Sequence, residues 1–336
     1  MIRKIVSVLC ILFLSINNVY AVEFQGKSYV VLDSFNNIVL SSHNQDYVQS
    51  VASISKIMTC IIAIEEGNLN DIFTIGDEVN EAWGSGVYIQ VGDFISLKDL
   101  LYGLMLRSGN DAANCIAVNV GGSVENFVDL MNQKARDLGL TNTIFSNPTG
   151  LDEEDDGNKS SAYDMAKLMS YCVQNPIFNE IVNTKSYKRE DGKGTWHNKN
   201  KLLDEYDYCV GGKTGYTKKA KRTLITRAIK DNVSLIIVTF NCGNDFEFHK
   251  DMYEECFEDY KSYIVLNRGI YNYQGHSFLI DKDIYGHSDK NVMFNENDKS
   301  IEISINDHMI YKTDKTSMID TILKYTFILF EEMLYG

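Results

Sequence analysis

Ser53 and Lys56 stand three residues apart in a stretch that reads as helix, so their side chains share one face and lie within reach of each other. A serine hydroxyl is a weak nucleophile until a base takes its proton, and a buried lysine with a depressed pKa can be that base. A second triplet, Ser108-Gly109-Asn110, closes a helix-turn and can project a hydroxyl and a carboxamide into a cleft. There Ser108 could relay a proton to a departing amine, and Asn110 could hold a substrate backbone. A third triplet, Lys213-Thr214-Gly215, follows Gly211-Gly212 on an expected strand. Glycine admits a substrate backbone to the strand edge, while Lys213 and Thr214 offer charge and hydroxyl to a free carboxylate. Lys213 is also expected to supply the neighbouring positive charge that discourages protonation of Lys56. Each string alone has a bland reading as a cap, a turn or a strand end. In this order on one chain they form the nucleophile, proton shuttle and carboxylate site of an acyl-transfer centre.

The surrounding pattern supplies elements to carry them. Tyr29 to Asp33 and Ile38 to Ser41 flank a turn at Ser34-Phe-Asn-Asn37 and read as a hairpin. Ser55 to Glu66 is apolar almost throughout, which predicts a buried helix. Ser96 with Asp99 forms a capping box opening a helix over Leu97 to Leu106, and Ser161 with Asp164 opens another running to about Val173. Val124 to Leu138 is a further helix between glycines. From Tyr206 to Cys242 the period changes to that of strands: one into Lys213-Thr-Gly215, then Thr223 to Ile229 and Leu235 to Phe240 around an Asp231-Asn232 turn. After a helix over Phe246 to Tyr263, short β-like runs at Ser277 to Ile280, Val292 to Phe294, Ile301 to Ile305 and Met309 to Lys312 predict a small β-rich appendage. Residues 317–336 form an amphipathic helix, for which two dispositions stay open, packing on the appendage or peripheral contact with a membrane surface.

Length and composition bound the rest. A chain of 336 residues accommodates a main body plus a small partner. Residues 1–21 carry Arg3 and Lys4, an apolar stretch from Ile5 to Ile16 and a compact Val19-Tyr-Ala21 end, the signature of a secretory signal peptide. The apolar stretch is shorter than the roughly 20 residues that span a bilayer. Its removal would leave 30 basic against 46 acidic residues, a net charge of about −16, which argues against nucleic acid as a partner. Cys60, Cys115, Cys172, Cys209, Cys242 and Cys256 show no C-x-x-C pairing. An exported chain permits disulfides, but the apolar contexts favour small core residues. The chain shows no zinc-ligand spacing, and no metal or organic cofactor is expected.

The chain resembles the low-molecular-mass penicillin-binding proteins, the serine D-alanyl-D-alanine carboxypeptidases, over residues 24–263. The likeness includes Ala52-Ser-Ile-Ser-Lys-Ile-Met-Thr59, Asp99-Leu-Leu-Tyr-Gly103, Ser108-Gly-Asn-Asp-Ala-Ala113, Phe145-Ser-Asn-Pro-Thr-Gly-Leu151, Ser161-Ala-Tyr-Asp-Met-Ala166, Asn198-Lys-Asn-Lys-Leu-Leu203 and Lys213-Thr-Gly-Tyr-Thr217. The resemblance implies an α/β fold with an antiparallel sheet flanked by helices, the penicillin-binding protein/β-lactamase-like transpeptidase fold. The expected organisation is a signal peptide at 1–21, a catalytic domain at 22–263, a small β-rich domain at 264–316 and the terminal helix at 317–336. It further implies an extracytoplasmic enzyme that trims the terminal D-alanine from peptidoglycan stem peptides and is blocked covalently by β-lactams. Ser53 would carry the acyl group, Lys56 would be the base and Ser108 the proton relay. Asn110, Lys213, Thr214, Gly215 and Tyr216 would bind substrate, and the Ser53 and Tyr216 N–H groups would form an oxyanion hole.

Some positions depart from the family pattern. Ser55 stands where threonine is common, Asn158 falls near a position often held by histidine, and His249-Lys250 falls where an arginine often assists the terminal carboxylate. Three other readings share parts of the pattern. A class A β-lactamase would need a Glu-x-x-Leu-Asn string that the region Asn147 to Asn158 lacks. A D,D-endopeptidase cutting cross-links would differ in cleft shape and not in motifs. A non-catalytic wall-binding protein would have no need of all three motifs.

Overall fold

The structure is a computed structural model that describes residues 23–152, 157–261, 263–281, 283–286, 292–297, 299–305, 308–315 and 320–326. The expected signal peptide and most of the terminal helix lie outside the described residues; residues 320–326 are helical. Among the described residues, no helix is long and apolar enough to cross a membrane.

Five strands form the central antiparallel sheet: β1 (Ser28–Asp33), β2 (Ile38–His43), β3 (Cys209–Thr217), β4 (Lys221–Lys230) and β5 (Val233–Phe240). Their order is β2-β1-β5-β4-β3, so the amino-terminal hairpin closes onto strands some 200 positions later in the sequence, with Ser28 opposite Phe240 and Val31 opposite Ile237. Every residue of β5 is buried, as expected of a central strand covered on both faces.

One face packs Val30, Leu32, Ile225, Ile236 and Val238 with the helices α1 (Lys56–Glu66), α2 (Leu97–Tyr102), α3 (Asn110–Gly121), α4 (Val124–Asp137), α5 (Ala162–Cys172) and α6 (Pro176–Asn183). The other face packs Val31, Ala228, Leu235 and Ile237 against the short α7 (Leu202–Glu205) and against α8 (Asp245–Asp259) through Phe248, Met252 and Tyr253. α1 is buried from Lys56 to Ala63, which explains its near-continuous apolar run. Both expected caps form: the Ser96 and Ser161 hydroxyls accept from the Asp99 and Asp164 N–H groups at 3.1 Å.

Two helices end differently from the sequence expectation. The helix expected to run from Leu97 to Leu106 stops at Tyr102 and widens into a π-turn over Gly103–Arg107. Gly103 packs there against Val87 and Trp196, where a Cβ would meet atoms at 3.1 and 3.2 Å. The helix expected to reach Tyr263 stops at Asp259, because Tyr260 turns extended and its hydroxyl bonds the Asp33 carboxylate at 3.2 Å; Tyr263 instead starts a strand.

Beyond α8, the hairpin Gly269–Tyr273 with His276–Ile280, the pair Tyr263–Leu266 with Ile284–Gly286, and a three-stranded sheet of Val292–Glu296, Ser300–Ile305 and His308–Asp314 form the expected β-rich appendage. Its own small core contains Phe278, Ile280, Ile284, Ile301 and Ile303.

Cys60, Cys115, Cys172, Cys209, Cys242 and Cys256 are all free and buried, and burial raises each thiol pKa. These six thiols should therefore resist a thiol reagent in the folded protein and all react in denaturant without reductant. A shortfall of two on denaturation would reveal a disulfide.

Candidate active site

The Ser53 and Lys56 pair lies where a 3-10 turn, Ala52–Ser55, feeds directly into α1. Ala52 takes a left-handed φ of 52°, a conformation that costs a non-glycine residue about 1 to 3 kcal/mol and persists only where the surroundings enforce it. Ser55 steadies the turn by donating to the Ala52 carbonyl at 2.9 Å. Lys56 is fully buried, and its Nζ donates to Ser53 Oγ at 3.1 Å, to Asn110 Oδ1 at 2.7 Å and to the Thr149 carbonyl.

Thr149 belongs to a turn that its own residues brace. Asn147 Oδ1 accepts from the Thr149 N–H at 3.1 Å, the Thr149 hydroxyl at 2.9 Å and the Gly150 N–H at 2.7 Å. Gly150 has φ 78°, and a Cβ there would collide with the Ala52 carbonyl. Asn158 locks the turn from behind, accepting from the Ser146 and Asn147 N–H groups at 2.8 and 3.0 Å and donating to the Asn147 carbonyl at 2.8 Å. The departure from histidine at 158 thus leaves a residue that positions the turn beneath Lys56.

Ser108 ends the π-turn with φ 63°, and Asn110 begins α3, so the second triplet presents both side chains inward. The third triplet lies along β3, which runs beside the Ala52–Ser55 turn. Lys213 is buried, and its Nζ donates to Ser108 Oγ at 3.0 Å and to the Thr214 carbonyl at 2.8 Å. A Cβ on Gly215 would come within 3.0 Å of the Ser53 nitrogen, so only glycine lets the strand approach the turn this closely. Tyr216 follows, opposite Arg222 on β4, with an exposed ring. All eight expected residues therefore gather at one place, from elements far apart in the chain.

Burial lowers the Lys56 pKa from 10.5 to about 7, with the Lys199 charge assisting and the Asp111 carboxylate opposing. The repulsion expected between Lys213 and Lys56 is mutual, and it shows on Lys213. Lys213 is held well below the ordinary lysine range, by burial first and then by the charges of Lys56 and Lys199. Lys199 is thus a third lysine of the site, exposed along its side chain but with its own pKa lowered by desolvation first and then by the Arg107 charge, and it donates to Ser85 Oγ at 3.1 Å. Its position within Asn198-Lys-Asn-Lys-Leu-Leu203 was the only signal for it in the sequence.

His249 is not a carboxylate reader. Its Nδ1 bonds Thr226 Oγ1 at 2.7 Å and its Nε2 bonds Thr239 Oγ1 at 2.9 Å, and complete burial lowers its pKa to about 3. Along β4, Thr226 points to the α8 side, whereas Lys213 lies opposite Ile225, which packs on the α1 side. The sheet therefore separates His249 from the lysines. Lys250 is exposed on α8, the helix on that same far side.

The sequence profile of the D-alanyl-D-alanine carboxypeptidase family matches residues 16–244. The chain belongs to this family. It is 34% identical over 255 residues to the D-alanyl-D-alanine carboxypeptidase DacF of Bacillus subtilis, an alignment covering 73% of this chain and 65% of that protein. Among solved structures it is similar to the D-alanyl-D-alanine carboxypeptidase of Mycobacterium tuberculosis, with 28% identity and a TM-score of 0.67 over 70% of this chain and 92% of that one. It is similar also to a mutant of the Streptomyces K15 DD-transpeptidase, with 28% identity and a TM-score of 0.64 over 70% and 98% of the two chains. The family thus has the fold anticipated from the motifs, an antiparallel sheet between helical layers.

In protein carrying 13C-labelled lysine, the Lys56 side-chain resonance should titrate with a midpoint of about 7. Lys199→Gln removes a positive charge that disfavours the ammonium, so the midpoint should move upward. A Lys56 midpoint near the ordinary lysine value in both proteins would contradict the assignment of these electrostatics.

Proposed function

We propose that the protein is a serine-type D-Ala-D-Ala carboxypeptidase that removes the terminal D-alanine from peptidoglycan stem pentapeptides. The carrying observation is the hydrogen bond from a fully buried, weakly basic Lys56 to Ser53 Oγ. A lysine of ordinary pKa would be unprotonated in only about one molecule in three thousand at pH 7, too few to serve a base. With its pKa lowered to about 7, Lys56 is free of its extra proton in roughly half of the molecules at that pH.

Ser53 Oγ attacks the carbonyl carbon of the penultimate D-alanine while its proton passes to Lys56 Nζ. The oxyanion faces the backbone N–H groups of Ser53 and Tyr216, brought together by the approach of Gly215 to the turn. The C–N bond then breaks, and the departing amine takes its proton from Lys56 with Ser108 as relay. Water attacks the resulting Ser53 ester and gives a proton to Lys56; the ester bond breaks, Ser53 regains its proton, and the shortened peptide leaves. Asn110 orients the peptide backbone, and Lys213, Thr214 and Gly215 receive the terminal carboxylate. Arrival of that carboxylate favours the charged form of Lys213, opposing the burial that holds its pKa well below the ordinary lysine range.

Family membership and the leader-like residues 1–21 support action outside the cytoplasmic membrane, with residues 22–263 as the catalytic domain, 264–316 as its β-rich companion, and residues 317–336 either packed on that companion or in peripheral membrane contact. The same serine would be acylated by β-lactams.

Purified protein should release D-alanine from diacetyl-Lys-D-Ala-D-Ala, and Ser53→Ala or Lys56→Ala should lower the rate by at least about a thousandfold. Undiminished release by the Ser53 variant would refute the assignment.

A further inference from the structure

The stretch from Trp83 to Tyr88 has no regular secondary structure, yet it is bolted to the site from three sides. The Asn110 side chain donates to the Trp83 carbonyl, and the Asn110 N–H donates to the Ser85 carbonyl at 2.8 Å. Lys199 holds the Ser85 hydroxyl at 3.1 Å. The Asp111 carboxylate accepts from the Val87 N–H at 3.0 Å and from the Tyr88 N–H at 2.7 Å. The packing is close as well, since a Cβ on Gly84 would lie 3.3 Å from Asn110 Nδ2 and one on Gly86 3.2 Å from the Asp111 carboxylate.

On this fixed backbone, two large aromatic rings face water. Trp83 is 60% exposed and Tyr88 83% exposed, and Tyr88 stands at a left-handed φ of 60° between the buried Val87 and Ile89. Backbone strain maintained by a buried carboxylate, with the ring left in solvent, contributes nothing to folding that a smaller residue would not. The place of these rings limits what could cover them. The Trp83 backbone is one hydrogen bond from Asn110, which itself contacts Lys56, so Trp83 stands beside the residue to which the proposed function assigns the substrate backbone. An aromatic face suits an alkyl stem with a cationic tip, and Glu81, exposed two residues before Trp83, adds negative charge nearby.

We propose that Trp83 and Tyr88 are specificity-determining residues that receive the long amine-bearing side chain of the stem residue preceding the D-Ala pair. This rests on the carboxypeptidase reading. The Asp111 and Lys199 contacts pre-organise the aromatic rim, while the chemistry stays with the residues beneath it.

The test compares acetyl-Lys-D-Ala-D-Ala, its ε-amine free, with acetyl-Ala-D-Ala-D-Ala. The unmodified protein should favour the lysine peptide by at least about fivefold in kcat/KM. In W83A/Y88A the ratio of the two kcat/KM values should fall to within about twofold of one, with W83F/Y88F recovering part of it. An unmodified protein active on both peptides without preference, an undiminished ratio in W83A/Y88A, or an equal loss on both peptides would overturn this assignment alone. Inactivity of the unmodified protein on both would overturn the carboxypeptidase reading and this inference with it.

Discussion

A lysine amine shut away from water in the presence of two more lysines is the constraint around which this structure is organised. Removing a charge from water is costly, and an isolated buried ammonium relieves that cost by losing its proton. Three groups from three separate segments surround Lys56 Nζ: Ser53 in its own turn, Asn110 at the start of α3 and the Thr149 carbonyl. The ammonium donates to all three, whereas the neutral amine donates to two and accepts from the Ser53 hydroxyl. Loss of any one segment would leave a buried polar group unpaired, which links the integrity of the cleft to that of the fold.

The fold meets this demand by concentrating unusual backbone at the site while keeping its frame regular. The central sheet is antiparallel and deeply buried, and β3 carries Lys213 to Gly215 past the 3-10 turn. Left-handed residues at Ala52 and Ser108, the π-turn at Gly103–Arg107 and the tight turn at Gly150 all lie within this one neighbourhood. Such conformations survive because the surroundings over-determine them. Asn147 and Asn158 do so for the turn beneath Lys56, and Asp111 does so for the loop that flanks the cleft.

Much of this was legible in the sequence because it is local. A helix places residues three apart on one face, so the Ser53 and Lys56 contact follows from spacing. The caps at Ser96 and Ser161, the hairpin turn after Asp33 and the apolar runs of β4 and β5 are equally short-range. What stayed hidden depends on tertiary approach. Nothing in Thr149 announces that its carbonyl will meet an amine 93 positions earlier, and Lys199 reads as an ordinary surface lysine until Ser85 is placed against it. The role of His249 stayed open in the sequence for the same reason. Proximity to an expected position could not tell which side of the sheet its ring would occupy, and two threonine hydroxyls hold it on the far side. The π-turn before Ser108 was not legible either, since it lies where Gly103 packs on Trp196, a residue brought near only by folding.

The rate of acylation by a fluorescent penicillin, followed in a single turnover from pH 5 to 9, tests the central claim directly, because it isolates attack by the serine from every later step. The neutral amine is the active form, so the second-order rate should rise with pH through a midpoint of about 7 and level off above it. A rate independent of pH across that range, or one still climbing at pH 9, would contradict an amine made neutral by burial.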